Sequence, residues 1–141
     1  MRPWVRWLPS ATWGVLILLF SAQPETFFFP GPHGRHYRFL HYYLEIAVHL
    51  VEFCIFFVLV VWPLRSWGRP RVSLIGIAFG AVLVLSLVNE SIQAFTPTRM
   101  FDVWDMIVDA LGGAIGALLV VGRDSTEGSG RSLSASRYGV N

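Results

Sequence analysis

Lysine is absent from this sequence, cysteine occurs once, and charge of either sign is scarce. Charged residues make up 14% of the 141 positions, against about 25% in a typical soluble domain. That shortfall leaves too little polar surface to meet water on every side, so lipid is the solvent that suits the chain. The eleven basic residues are all arginine and form no contiguous stripe, which argues against a nucleic-acid partner. The lone Cys54 lies inside an apolar run; it has no partner for an internal disulfide and reads as a small buried hydrophobe. There is no HExxH and no paired-histidine spacing. His33, His36 and His41 lack the two-sided spacing of a structural zinc site and read as solvated loop residues.

What is abundant is apolar: 54% of the residues, with six Trp, eleven Phe and four Tyr. Many of these aromatics stand at the ends of apolar runs, where amphipathic rings favour the lipid–water interface. Four apolar runs are candidate membrane spans. The first, Trp7 to Ala22, falls short of the roughly 20 residues a spanning helix wants, but Trp4 and Val5 extend it and Pro9 is tolerated in a first helical turn. Arginines ahead of an apolar stretch also mark secretory leaders. Ser21-Ala22-Gln23-Pro24 is a poor cleavage site, so the reading is a retained span. Residues Gln23 to His41, with three prolines and two glycines, predict a loop, and Phe27, Phe28 and Phe29 within it are placed at the interface. The second run is Leu44 to Leu64, the third Val72 to about Gln93, and the fourth Val103 to Val121. The expected fold is therefore an all-α membrane protein, a bundle of four transmembrane helices over residues 1–121. The Gly- and Ser-rich segment 122–141 has no apolar period and predicts a disordered tail.

Arginine placement sets the expected orientation. With four spans, Arg2, Arg6, Arg65, Arg69, Arg71, Arg123, Arg131 and Arg137 share one side, and Arg35, Arg38 and Arg99 the other. The positive-inside rule then places both termini in the cytoplasm, with the first and third loops outside.

The informative residues are the ionisable ones inside apolar runs. Glu45, His49 and Glu52 recur at i, i+4 and i+7 in the second run, and Asp102, Asp105 and Asp109 at i, i+3 and i+7 in the fourth; each set lies on one helical face. Glu90 and Gln93 close the third run one turn apart, and Arg99 sits in the turn that follows. At 1.5 Å per residue, His49 and Asp109 each lie roughly 10 Å below the outer surface, so depth and phase both allow the groups to meet. An acid facing lipid costs on the order of 2.5–3.5 kcal/mol. These groups must therefore face one another, Arg99 or a wet cavity, and Arg99 is expected to pair with Glu90, Asp105 or Asp109. Such a cluster marks either a functional site or a structural network that locks helix register. Asp102, nearest the interface, reads as a cap of the fourth helix. Gly76 and Gly80 on the third helix and Gly112 and Gly116 on the fourth form GxxxG pairs, which predict that these two helices pack closely.

The stretch Asn89-Glu90-Ser91-Ile92-Gln93-Ala94-Phe95-Thr96-Pro97-Thr98-Arg99, followed by Asp105-Met106-Ile107-Val108-Asp109-Ala110-Leu111-Gly112, resembles the VanZ-like family. Its members carry an acid-x-x-Gln-x-Phe-x-Pro-x-Arg run, then Asp-x-x-x-Asp/Asn and a glycine-rich helix. His49-Leu50-Val51-Glu52-Phe53 is similar to the family's His-x-x-Glu-aromatic segment, and Ser21 to Pro24 to the Ser-x-x-Pro that closes its first helix. One departure matters: the family commonly has a basic residue three before the histidine, where this chain has Ile46. Arg99 would then balance more acids. The resemblance implies a small multi-pass bacterial membrane protein; the founding member is linked to low-level resistance to the glycopeptide teicoplanin.

These readings converge on a cell-envelope protein with an outward polar pocket that binds or modifies an envelope component, a lipid-linked precursor or a glycopeptide. Glu90, Asp105 and His49 would supply acid–base chemistry. Arg99, Gln93, Asp109, Glu52 and Glu45 would bind, with the guanidinium on an anionic head. Other classes stay open: a metal-dependent membrane enzyme, since one histidine with several carboxylates can serve as a ligand set; a proton-coupled carrier, which with so few helices would need copies of the chain to associate; and a structural subunit of an envelope complex. The pattern names neither a cofactor nor a particular metal.

Overall fold

The computed structural model describes residues 3–23, 35–97 and 99–137, with side chains over 4–23, 42–97 and 99–123. Among the described residues there are helices and turns and no strand. A 3-10 turn, Pro3–Trp7, leads into α1, Leu8–Ser21. The longer helices are α2, Arg35–Leu64, α3, Arg71–Phe95, and α4, Val103–Arg137. Three segments are long and apolar enough to cross a membrane: Tyr42–Trp67, Arg71–Phe95 and Val103–Arg123. At 14 residues, α1 is by itself too short.

Local chemistry sets most boundaries. Pro9 sits in the first turn of α1, where its missing N–H costs nothing, and Ser10 Oγ donates to the Trp7 carbonyl. After α2 a short 3-10 turn, Arg65–Trp67, ends on Gly68 at φ 63°, a left-handed conformation that glycine adopts without a Cβ clash. Pro70 then precedes α3. At the far end of α3, Thr96 donates its hydroxyl to the Ile92 carbonyl and its backbone N–H to Gln93 O, and Pro97 stops the helix.

Two boundaries differ from the sequence expectation. α2 begins at Arg35 rather than after His41: Arg35 to Tyr43 holds neither proline nor glycine, so the helix propagates back to the last breaker, one hydrogen bond per residue. α4 continues to Arg137, through Gly122, Gly128 and Gly130 and much of the segment expected to be disordered. Residues 24–34, with Phe27, Phe28, Phe29 and His33, lie outside the described residues, as do the side chains of His36 and His41.

The core is a seam of α2 residues at helical spacing, Phe53, Phe56, Phe57, Val60, Val61 and Leu64, set against Leu74, Ala78 and Val82 of α3 and Val120 of α4. α1 docks on this bundle through Trp13, whose indole N–H donates to the Glu52 carbonyl at 3.0 Å, and through Gly14 beside Phe56.

The glycines correct the expected pairing of the last two helices. A Cβ on Gly112 would stand 2.6 Å from the Leu50 carbonyl oxygen, and one on Gly116 2.9 Å from that of Cys54. Both neighbours belong to α2. Gly76 and Gly80 have nothing within 4 Å. The reason is phase: Gly112 and Gly116 continue the face of Asp109, and Asp109 faces α2, so the glycines bring α4 onto α2. The contact of α4 with α3 runs through Gly113 instead, against Val82.

Candidate functional site

One face of α3 turns polar in its second half. Ser86, Asn89, Glu90 and Gln93, at i, i+3, i+4 and i+7, are all buried. Opposite them stand His49 of α2 and Asp109 of α4. Asp109, fully buried, accepts from Nδ1 of His49 at 2.8 Å on Oδ1 and from the Ser86 hydroxyl at 2.7 Å on Oδ2. One carboxylate thus joins the three long helices, and such bonds to a charged acceptor are short and strong. The imidazole lies nearly parallel to the Phe53 ring, 18° between planes. With Nδ1–H donated to Asp109, Nε2 is the nitrogen left for an acceptor role.

Glu90 is also fully buried. Its Oε2 accepts the backbone N–H of Asp102 at 3.0 Å, and its Oε1 accepts from Asn89 Nδ2 at 3.5 Å. Asp102 in turn accepts the Trp104 N–H at 2.8 Å on Oδ1. This is the helix cap its position suggested.

Arg99 lies elsewhere than expected. It pairs with Glu45, Nη2 to Oε1 at 3.4 Å, rather than with Glu90, Asp105 or Asp109. Glu45 is one turn before His49 on α2, level with the connection that carries Arg99, whereas Asp109 sits nearly two turns inside α4. Asp105 is half-buried on the Asp109 face and makes no hydrogen bond among the described residues. Glu52 and Gln93 line the cavity that opens beside these groups.

That cavity holds about 340 Å³ between α1, α2 and α3. Ile17, Phe20, Leu44 and Val48 give it an apolar wall, and Glu45, His49, Glu52, Asn89, Gln93 and Arg99 a polar one. Two polar atoms buried here have no hydrogen-bond partner among the described residues: the acceptor Asn89 Oδ1 and the donor Arg99 Nε. Such groups are costly unless something meets them.

The structure therefore gathers His49, Glu90 and Asp109 into one cluster, each offering an atom within 4.8 Å of the others, and holds Glu45 with Arg99 at its outer edge. Sequence reasoning missed Ser86 and Asn89 as members. The signal was present in the recurrence Ser86, Asn89, Glu90, Gln93 inside an apolar run, which puts four polar residues on one helical face. A base held by a carboxylate beside a half-apolar cavity can move a proton on a molecule lodged there.

The family model described as VanZ/LLP1 matches residues 7–123. No curated protein and no solved structure matches the chain.

Proposed function

The chain belongs to the VanZ/LLP1 family, and from that premise we propose that it is a multi-pass protein of the bacterial cytoplasmic membrane whose cavity takes the head of a lipid-linked envelope component. The observation that carries this reading is the two-sided cavity, with Arg99 Nε buried and unpaired at its polar wall. An amphiphile needs both walls: the apolar one for the start of its chain, the polar one for its head. A guanidinium donor suits a phosphate. Gln93, Glu45 and Glu52 would read the rest of the head, and His49, oriented by Asp109 with Glu90 and Asp105 nearby, would do acid–base work on it.

The topology proposed with this site has four spans. The 3-10 turn of 5 residues and the 14 residues of α1 together reach about 31 Å at their respective rises, close to the roughly 30 Å of a hydrocarbon core. Both termini lie in the cytoplasm by the arginine count, so the cavity faces outward, where cell-wall precursors are displayed. A protein that holds such a precursor alters how a glycopeptide meets it, which links the reading to glycopeptide resistance.

The test is to purify the full chain in a gentle detergent and identify the lipids that accompany it by mass spectrometry. Enrichment of a phosphate-bearing lipid-linked sugar over bulk membrane lipid, lost in Arg99→Ala, is the expected result. Bulk phospholipid alone, in the same proportions for both proteins, would refute the reading.

A further inference from the structure

Behind the polar wall of the cavity the groups do not balance. Glu90 and Asp109 are two fully buried carboxyl groups, and among the described side chains a single imidazole, that of His49, faces them. Among the residues whose side chains are described, the arginine at this end, Arg99, pairs with Glu45 instead. A third acceptor adds to the surplus: Asn89 is 2% exposed, bonds Glu90 through Nδ2, and leaves Oδ1 without a donor. Acceptors concentrated in a site away from water call for a cation.

We propose that His49, Glu90, Asp109 and the Asn89 amide oxygen hold one divalent first-row transition-metal ion at the inner end of the cavity. One imidazole nitrogen among hard oxygens suits zinc, manganese or iron(II) rather than the all-oxygen shells of magnesium and calcium. The geometry is close to what an ion needs. Ligands bound at 2.0–2.2 Å lie no more than about 4.4 Å apart, and His49, Glu90 and Asp109 offer atoms within 4.8 Å of one another, so small side-chain rotations bring those three to bonding distance; Asn89, bonded to Glu90 through Nδ2, stands beside them. An ion bound through Nδ1 would displace the proton that His49 shares with Asp109 Oδ1, and that proton would leave to solvent or move to Nε2. Ser86, donating to the other Asp109 oxygen, fixes that carboxylate as an outer-shell partner does. His49 and Asn89 line the cavity while Glu90 and Asp109 stand behind them, which leaves the open side of the ion facing whatever the cavity holds. This site does not depend on the identity of that occupant.

The experiment uses the full chain in detergent, stripped with EDTA and dialysed. Mn²⁺ is titrated in and the free ion followed by electron paramagnetic resonance; Zn²⁺ is then added as competitor, and the melting temperature is recorded with each. We expect one Mn²⁺ bound per chain, displacement by Zn²⁺, and a melting temperature that rises to a plateau at one equivalent. Asp109→Asn and Glu90→Gln should each weaken binding by about tenfold or more, whereas Ser91→Ala, whose hydroxyl bonds only its own helix, should bind as wild type. If wild type binds neither ion stoichiometrically and its melting temperature ignores both EDTA and Zn²⁺, the carboxyl groups are balanced by protons and the proposal fails. It fails equally if Asp109→Asn and Glu90→Gln both bind as tightly as Ser91→Ala and wild type. Should the buried variants not fold, the wild-type titration alone decides.

Discussion

His49 and Asp109 are sixty positions apart in sequence and 2.8 Å apart in space. Neither is explained by its own helix, since each lies in an apolar stretch where an ionisable side chain is a liability. Together, with the Ser86 hydroxyl on the second Asp109 oxygen, they turn three separate liabilities into the polar joint of the bundle.

Breaking that joint on one side leaves a buried group unpaired. Asp109→Ala is therefore expected to destabilise the folded chain by about 3–5 kcal/mol, read as a large fall in melting temperature in detergent. Asp105→Asn, half-buried and without a hydrogen bond among the described residues, should melt as wild type. If it also loses retention of the lipid-linked sugar at unchanged protein level, the cluster is a site; if retention follows stability across both variants, the cluster is only a network.

The glycines give a prediction that separates their two pairs. Gly112→Ala would drive a methyl group toward the Leu50 carbonyl oxygen, 2.6 Å away, and should cost at least the roughly 1–3 kcal/mol of overpacking. Gly80→Ala meets open space and improves helix propensity, so it should leave the melting temperature unchanged or raised by the equivalent of up to about 1 kcal/mol. Equal losses in the two variants would contradict the α2–α4 contact.

Arg99→Ala should abolish retention of a phosphate-bearing lipid, while Arg99→Lys should retain part of it, because a lysine keeps the charge but not the planar fork of donors. The ratio of that lipid to bulk phospholipid, measured for all three proteins at equal recovery, checks this.

Topology can be read with thiol chemistry. In a Cys54→Ala background, single cysteines at Ser10, Gly34, Ser66 and Ser129 should behave differently toward an impermeant reagent added to intact spheroplasts. Only Gly34→Cys should be labelled. Labelling at Ser129→Cys would overturn the four-span arrangement.

The sequence made the three long apolar helices and the polar faces legible, because both follow from the pattern along one helix. Glu45, His49 and Glu52 had to share a face whatever they met, and so did Asp105 and Asp109. What periodicity cannot supply is the neighbour. Phase tied Gly112 to the Asp109 side but did not reveal that this side meets α2 rather than α3. Likewise Arg99 was rightly drawn to an acid, but the choice of Glu45 depends on where a turn of non-helical backbone leaves its side chain. Ser86 and Asn89 were legible in the same pattern as Glu90 and Gln93; uncharged, they stood out less against the apolar run than the acids did.

Glu90 holds more than its place on α3. Its carboxyl group accepts the Asp102 backbone N–H, and Asp102 caps the first turn of α4, so one buried acid latches the start of the next helix. Anything in the cavity that draws on the Glu90 carboxyl group competes with that latch. The exchange rate of a single amide hydrogen, that of Asp102, thereby becomes a gauge of occupancy: slow while the latch is closed, fast once a ligand pulls Glu90 away.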